Sequence, residues 1–476
     1  MPKETLKAKP VYAGILQGYQ QALDRYPENY SNYVRQLSDW SNAYATNKNA
    51  QAPRPPMSAT YQRRPNGLFN GMIAPLVDFP VKGFVWYQGE DNAGSYDSAQ
   101  VYRETMSDLM RTWRKEWGQG DLPFYQVILA AFQNVSPNPE DRSWPYLREA
   151  QLAAAKAVPN AWVANIIDTG LEGDIHPPAK HESGERLGDV VKGHAYGVSG
   201  EWCGPVFKEM KVDGPRATLT FDHTGSGLMT REITLGGKHK LGSDELKGFS
   251  VCGEDEVFKW AKAEIEGNAV VVTHPDIQKI TAVRYAWANF PLANLFNKEG
   301  YPAYPFRTDN WNPNLPKDVR NAAQGRPNLA LGKMWKSATP NALTKDRGVY
   351  GALTDGIFNT ESDRQIFSTE YSMNFPKDVT IELGAVYPVD TVFVCNSTLG
   401  GTKTVEVALS KDGTSFVDAG KTTFTNYSDE RWTLRLASPV EAAFVRIRFA
   451  DVYDIGFMKK PSGHVFLREV MVYAKQ

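Results

Sequence analysis

Cysteine is scarce: Cys203, Cys252 and Cys395 are the whole complement. An odd, sparse set makes no disulfide framework and has no zinc-ligand spacing. One bridge is open to it, but buried small apolar side chains are the reading to expect. An excess of either charge is also lacking, since Lys+Arg 53 stands against Asp+Glu 54 for a net charge of -1. That balance gives no support to a nucleic-acid or acidic-lipid surface. No run of about 18 apolar residues exists to span a bilayer. The opening Met-Pro-Lys-Glu-Thr-Leu-Lys lacks the apolar stretch of a signal peptide. Internal repeats, low-complexity tracts, phosphate-binding glycine loops, dinucleotide fingerprints and HExxH spacing are missing as well, so a nucleotide cofactor is not expected.

What is present is a long, ordinary globular composition. With 476 residues, 42% hydrophobic and 22% charged, the chain should fold as about three domains. Residues 1–200 mix helical and strand patterns. Leu16–Leu23 and Val34–Trp40 read as amphipathic helices. Val81–Tyr87, Phe124–Leu129 and Trp162–Ile167 read as buried strands. Between and after them, Tyr96–Trp117, Tyr146–Val158 and Ala179–Val191 read as helices. Strand alternating with helix predicts an α/β parallel sheet covered by helices. Residues 201–315 switch to period-two alternation in Arg216–Phe221, Ala269–Thr273 and Ile280–Trp287, which predicts a β-rich appendage. The polar, proline-containing stretch 316–325 reads as a linker. From residue 326 to 476 the short strands Val379–Leu383, Thr391–Cys395, Thr404–Leu409, Phe444–Phe449 and Phe466–Tyr473 predict a C-terminal β-sandwich of jelly-roll type.

Two segments carry polar groups where strands run out. Trp86-Tyr87-Gln88-Gly89-Glu90-Asp91-Asn92 follows the first strand, and ligands of open α/β sheets bind outside the carboxyl ends of strands. Gly89 permits a tight turn, Gln88 and Asn92 offer amides, and Glu90 offers a carboxylate. A capped polar turn would use the same residue types. Asp174-Ile175-His176-Pro177-Pro178 follows the third strand. Residues i and i+2 of an extended segment face the same way, so Asp174 can fix the imidazole of His176 and leave its other nitrogen free as a base. An ordinary helix entry would also read as Asp-x-His.

Together, WYQGEDN and DIHPP, with Pro65-Asn66-Gly67-Leu68-Phe69-Asn70-Gly71-Met72 upstream, resemble the sialate O-acetylesterases of the SGNH-hydrolase superfamily. The resemblance continues through Phe221-Asp222-His223-Thr224-Gly225-Ser226-Gly227, Val283-Arg284-Tyr285-Ala286-Trp287 and Asn297-Lys298-Glu299-Gly300, and covers roughly residues 1–310. It implies an incomplete catalytic domain over 1–200 with the appendage over 201–315. It also implies hydrolysis of O-acetyl esters on sialic acid or another glycan by a Ser-His-Asp mechanism without a cofactor. On that resemblance His176 is the general base, Asp174 its orienting carboxylate with Glu90 as the rival, and Gln88 with Gly89 supports the oxyanion. Asn92 and Asn70 contact substrate. The family's Gly-x-Ser block is not found in this sequence. Ser95, Ser199 and Ser226 lack the strand–Ser–helix setting of such a nucleophile. The expectation is that Met1 is not the natural start and that a signal peptide, a first strand and the serine precede it, for a periplasmic or extracellular protein. The alternative is a non-catalytic glycan-binding protein that has lost its nucleophile.

Residues 326–476 resemble the discoidin, or F5/8 type C, domain. The resemblance rests on Asn328-Leu329-Ala330, Leu353-Thr354-Asp355-Gly356, Val379-Thr380-Ile381-Glu382-Leu383-Gly384 and the closing Leu467-Arg468-Glu469-Val470-Met471-Val472-Tyr473. It implies a carbohydrate-binding accessory module, with a bound cation such as calcium whose ligands no acidic cluster marks. Trp335, Tyr371, Tyr453 and Arg446 are the candidate sugar contacts, each also suited to core or edge packing.

Overall fold

The computed structural model describes residues 3–7, 12–60, 64–323, 325–337, 353–356, 366–369, 372–453 and 463–475. It divides into two compact units, Met1–Asn310 and Trp311–Gln476. The first opens with three helices, α1 (Lys3–Lys7), α2 (Ala13–Asp24) and α3 (Tyr26–Thr46). Tyr12, at the head of α2, is fully buried and donates its hydroxyl to Asp108 at 2.6 Å. No residue of α3 is buried.

A three-stranded parallel sheet follows, from β1 (Phe84–Trp86), β2 (Phe124–Val127) and β3 (Ala161–Ala164) in that spatial order. The registers place Phe84 beside Phe124 and Phe124 beside Ala161. The crossovers are α4 (Tyr96–Trp117) and α5 (Ser143–Lys156), and α6 (Lys180–Tyr196) follows β3. The α4 helix starts where Ser95 accepts the Ser98 N–H at 3.1 Å and stops at Gly118, whose φ of 64° ends it in the left-handed region. Its Tyr102, Met106 and Met110 join Leu147, Ala150 and Ala154 of α5 over Phe84 and Phe124. Among the described residues β1 pairs only with β2, and its Val85 is 58% exposed.

The appendage contains β4 (Val206–Asp213), β5 (Arg216–Asp222), β6 (Leu228–Thr230), β7 (Ile233–Leu235), β8 (His239–Leu241), β9 (Phe249–Cys252), β10 (Lys259–Trp260), β11 (Lys262–Glu266), β12 (Ala269–Thr273), β13 (Ala282–Tyr285), β14 (Leu295–Asn297) and β15 (Phe306–Arg307). Two four-stranded sheets, ordered β11-β12-β5-β4 and β10-β9-β13-β15, supply a shared apolar core from Leu219, Val251, Val270 and Val283.

The second unit holds α7 (Lys317–Ala323), β16 (Trp335–Ser337), β17 (Phe367–Ser368), β18 (Lys377–Asn396), β19 (Thr404–Ser410), β20 (Val417–Thr423), β21 (Arg431–Phe449) and β22 (Phe466–Ala474). All pairings are antiparallel. The strand expected at 379–383 and the one at 391–395 are two halves of β18. The first half pairs with Phe444–Phe449 of β21 and the second with Arg431–Arg435, with register shifts between. The first half also takes β16, and the second takes β22. Two bent strands thus serve both layers of a β-sandwich over Val379, Ile381, Val394, Val405, Val445 and Val472. The stretch 316–325, expected as a linker, is largely α7. Its Val319, Ala322 and Ala323 recur at helical spacing and pack on Phe393, Cys395, Met471 and Tyr473.

Candidate functional site

The polar residues of the site stand at the carboxyl ends of β1 and β3. After β1 the chain turns at Gly89, which is buried with φ 157°. A Cβ there would meet Leu147 Cδ2 at 2.9 Å and Gln151 Nε2 at 3.2 Å, so the corner requires glycine for room. The Gln88 carbonyl accepts hydrogen bonds from Tyr102 Oη and Gln151 Nε2, both at 3.2 Å. Burial pushes the Tyr102 phenol up to about 12, which keeps it a donor. Gln151 is fully buried; it also donates to the Val127 carbonyl at 3.3 Å and accepts the Leu129 N–H at 3.0 Å. One α5 side chain therefore ties the ends of β1 and β2 together. The sequence reading passed over it, because nothing local marks a contact that spans 63 residues.

The Gln88 side-chain amide donates to Asn92 Oδ1 at 3.0 Å. The Gly89 N–H donates to Glu90 Oε2 at 2.9 Å. In this conformation that N–H is occupied, and the Glu90 carboxylate is turned to its own corner rather than to His176. Asn70 lies exposed on a short π-helical turn, Phe69–Ile73.

After β3 the pairing with β2 resumes at a parallel bridge, Phe132 to Leu171. Beyond it, Asp174 Oδ1 accepts the His176 N–H at 2.8 Å and lies 3.5 Å from His176 Nδ1. Ile175, between them, packs against the core of the parallel-sheet layer. The predicted pair therefore shares one side of the loop. The two groups are 0.5 to 0.6 Å beyond a ring hydrogen bond, which sits at about 2.9 Å. Both side chains are exposed, His176 at 87%.

Gln133 and Glu172, the residues after the two ends of that bridge, line a cavity of about 500 Å³ with Asn134, Ser136, Glu140, Arg142 and Asn289. Beneath it, Arg148 is fully buried and donates to the carbonyls of Leu129, Ala130, Ala288 and Asn289. Burial alone lowers its guanidinium to about 9.

No serine weighed for the nucleophile stands free at this site. Ser95 caps α4, Ser226 donates to Glu299, and Ser199 lies in the exposed segment after α6. The thiols are also unsuited: burial pushes Cys203 to about 12, Cys252 to about 11 and Cys395 to about 12.

In the second unit the candidate sugar contacts do not share a face. Trp335 pairs with Ile381 and packs on Phe367 at 5.1 Å, on the core side. Arg446 pairs with Thr380, one residue along and so on the other side, with its guanidinium over Phe416 at 4.2 Å. Tyr453 lies under Lys403, and Tyr371 falls outside the described residues. Glu469 is fully buried; its Oε2 accepts the Gly356 N–H at 2.9 Å, and its carboxyl lies against the Asp355 carboxyl. Burial and then the Asp355 carboxylate push its carboxyl well above the ordinary range.

Comparison with known proteins bears on the first unit most directly. The sialate O-acetylesterase of Mus musculus is 28% identical over 278 residues, 53% of this chain and 49% of that protein. The human sialate O-acetylesterase is 27% identical over 49% of this chain and 46% of its own. The chain thus spans about half the length of the curated relatives it matches. A solved carbohydrate acetylesterase from Xanthomonas citri is 41% identical, covering 51% of this chain and 54% of that chain, with a TM-score of 0.46. Residues 58–192, which hold both corners of the site, match the family model described as carbohydrate esterase, sialic acid-specific acetylesterase.

Proposed function

We propose that this chain acts in removing O-acetyl groups from sialic acid or another acetylated glycan outside the cytoplasm. The observation that carries the reading is the placement of WYQGEDN and DIHPP beyond the carboxyl ends of β1 and β3, both within the matched segment. His176 would take the proton of a serine nucleophile and return it to the leaving sugar hydroxyl. Asp174 faces Nδ1, which leaves Nε2 for that transfer. The Gln88 amide would meet the oxyanion, a contact worth about 3 kcal/mol in the transition state. The serine is read as lying outside residues 1–476, so the chain as given should hydrolyse p-nitrophenyl acetate no faster than its His176→Ala variant. Extended by an in-frame upstream Gly-x-Ser segment, it should release a burst of nitrophenol and lose that activity on His176→Ala. An inactive extended chain would remove the esterase reading. Full activity of the present chain, lost on His176→Ala, would instead place the nucleophile within it.

The second unit is read as a carbohydrate-binding module that holds a calcium ion. Glu469 and the neighbouring Asp355 would offer carboxylate oxygens to such an ion. EGTA should lower the melting temperature of this unit, and Glu469→Gln should abolish the response. An unchanged melting curve in EGTA would rule the ion out.

A further inference from the structure

A second cluster of chemically active side chains uses none of the residues described above at the two corners. Glu201 and Cys203 precede β4, and His223 follows β5. The carboxylate, the thiol and a ring nitrogen all lie within 4.8 Å of one another. Glu201 Oε2 is 3.2 Å from His223 Nδ1. Zinc bonds of about 2.0–2.3 Å set tetrahedral donors ~3.3–3.8 Å apart, so the three would draw in by ~1.5 Å at most.

The backbone beneath the cluster is braced. Asn297, fully buried, donates to the carbonyl of Cys203 at 2.9 Å and to that of His223 at 3.2 Å. A single amide thus fixes the spacing of two of the three donors, as outer groups do around metal ligands. His223 is held at φ 58°, an uncommon conformation for a residue with a side chain. Access exists from outside, because the Glu201 and His223 side chains are 29% and 38% exposed. A cavity of about 170 Å³ lined by Trp162, Trp202, Cys203, His223 and Tyr304 adjoins the thiol.

We propose that Glu201, Cys203 and His223 form a binding site for a borderline-soft divalent cation, zinc foremost, with the fourth position open to water. Mixed sulfur, nitrogen and carboxylate donors suit such an ion and not magnesium or calcium. Binding replaces the S–H bond of Cys203 with a sulfur–metal bond and releases one proton to solvent. The ion would cross-link the segment leaving α6 to the turn after β5.

The test uses the full chain with Cys252 and Cys395 changed to Ala, stripped with EDTA and titrated with Co²⁺. One equivalent should bind and produce the near-ultraviolet thiolate-to-cobalt band and the intense visible bands of a four-coordinate site. Zn²⁺ should then displace the cobalt and raise the melting temperature. Cys203→Ser should remove the charge-transfer band, and His223→Gln and Glu201→Gln, at partly exposed positions, should weaken Co²⁺ binding ~10-fold or more. A folded chain that binds no Co²⁺, or a band that survives Cys203→Ser, would overturn the proposal and leave a plain ion pair beside an inert thiol. None of these readouts depends on esterase activity, so the two readings fail separately.

Discussion

On the proposed reading the corner after β1 and the loop after β3 serve the same chemistry, but they are built differently. Gln88 and Gly89 are held by Tyr102, Gln151 and the packing of Leu147. Asp174 and His176 stand in solvent, joined by one short-range bond from side chain to backbone. A donor for an oxyanion contributes only when it is fixed before charge develops, and the bonds from Tyr102 and Gln151 fix the backbone that carries the Gln88 amide. A base must exchange protons and can tolerate exposure until substrate covers it. The braced corner should therefore report on stability and the exposed loop on chemistry alone.

The sharpest way to break this contrast is Gly89→Ala. The new methyl would press on Leu147 and Gln151, and we expect a loss of about 3 kcal/mol in urea unfolding of the first unit. An unchanged midpoint would mean that the corner is not rigid. Next comes Gln151→Leu, which removes the donor to Gln88 and leaves the buried Leu129 N–H without its acceptor. The expected cost is about 2 kcal/mol, with amide exchange accelerated at Leu129. Asp174→Ala should cost about 0.5 kcal/mol or less at its exposed site, while the imidazole signals of His176 shift in the NMR spectrum. His176→Ala should leave the unfolding midpoint within experimental error. A stability loss as large as that of Gln151→Leu would show that the loop is structural after all.

The contrast also explains what could be read in advance. The α4 helix was legible to the residue, because its apolar stripe and terminal glycine act locally. The three parallel strands were found but overextended, since apolar runs such as Phe124–Leu129 continue past the last ladder bond into buried loop. The polar groups of both corners were legible because they sit in contiguous motifs. Gln151 was not, since its role depends on where α5 crosses β1. The same holds for Glu201, Cys203 and His223, whose chain spacing matches no metal motif and whose proximity comes from the β4–β5 pairing. The helix α7 was hidden by flanking prolines and polar residues that read as a linker, although its three buried side chains mark one face.

The bent strands of the second unit have a consequence for how it comes apart. Because β18 and β21 each belong to both layers, neither layer can melt while the other keeps its full ladder. A tug on either end of β18 loads hydrogen bonds in both sheets together. The sandwich should therefore open as one block in hydrogen exchange, with the amides of Ile381 and Val394 sharing a single protection free energy.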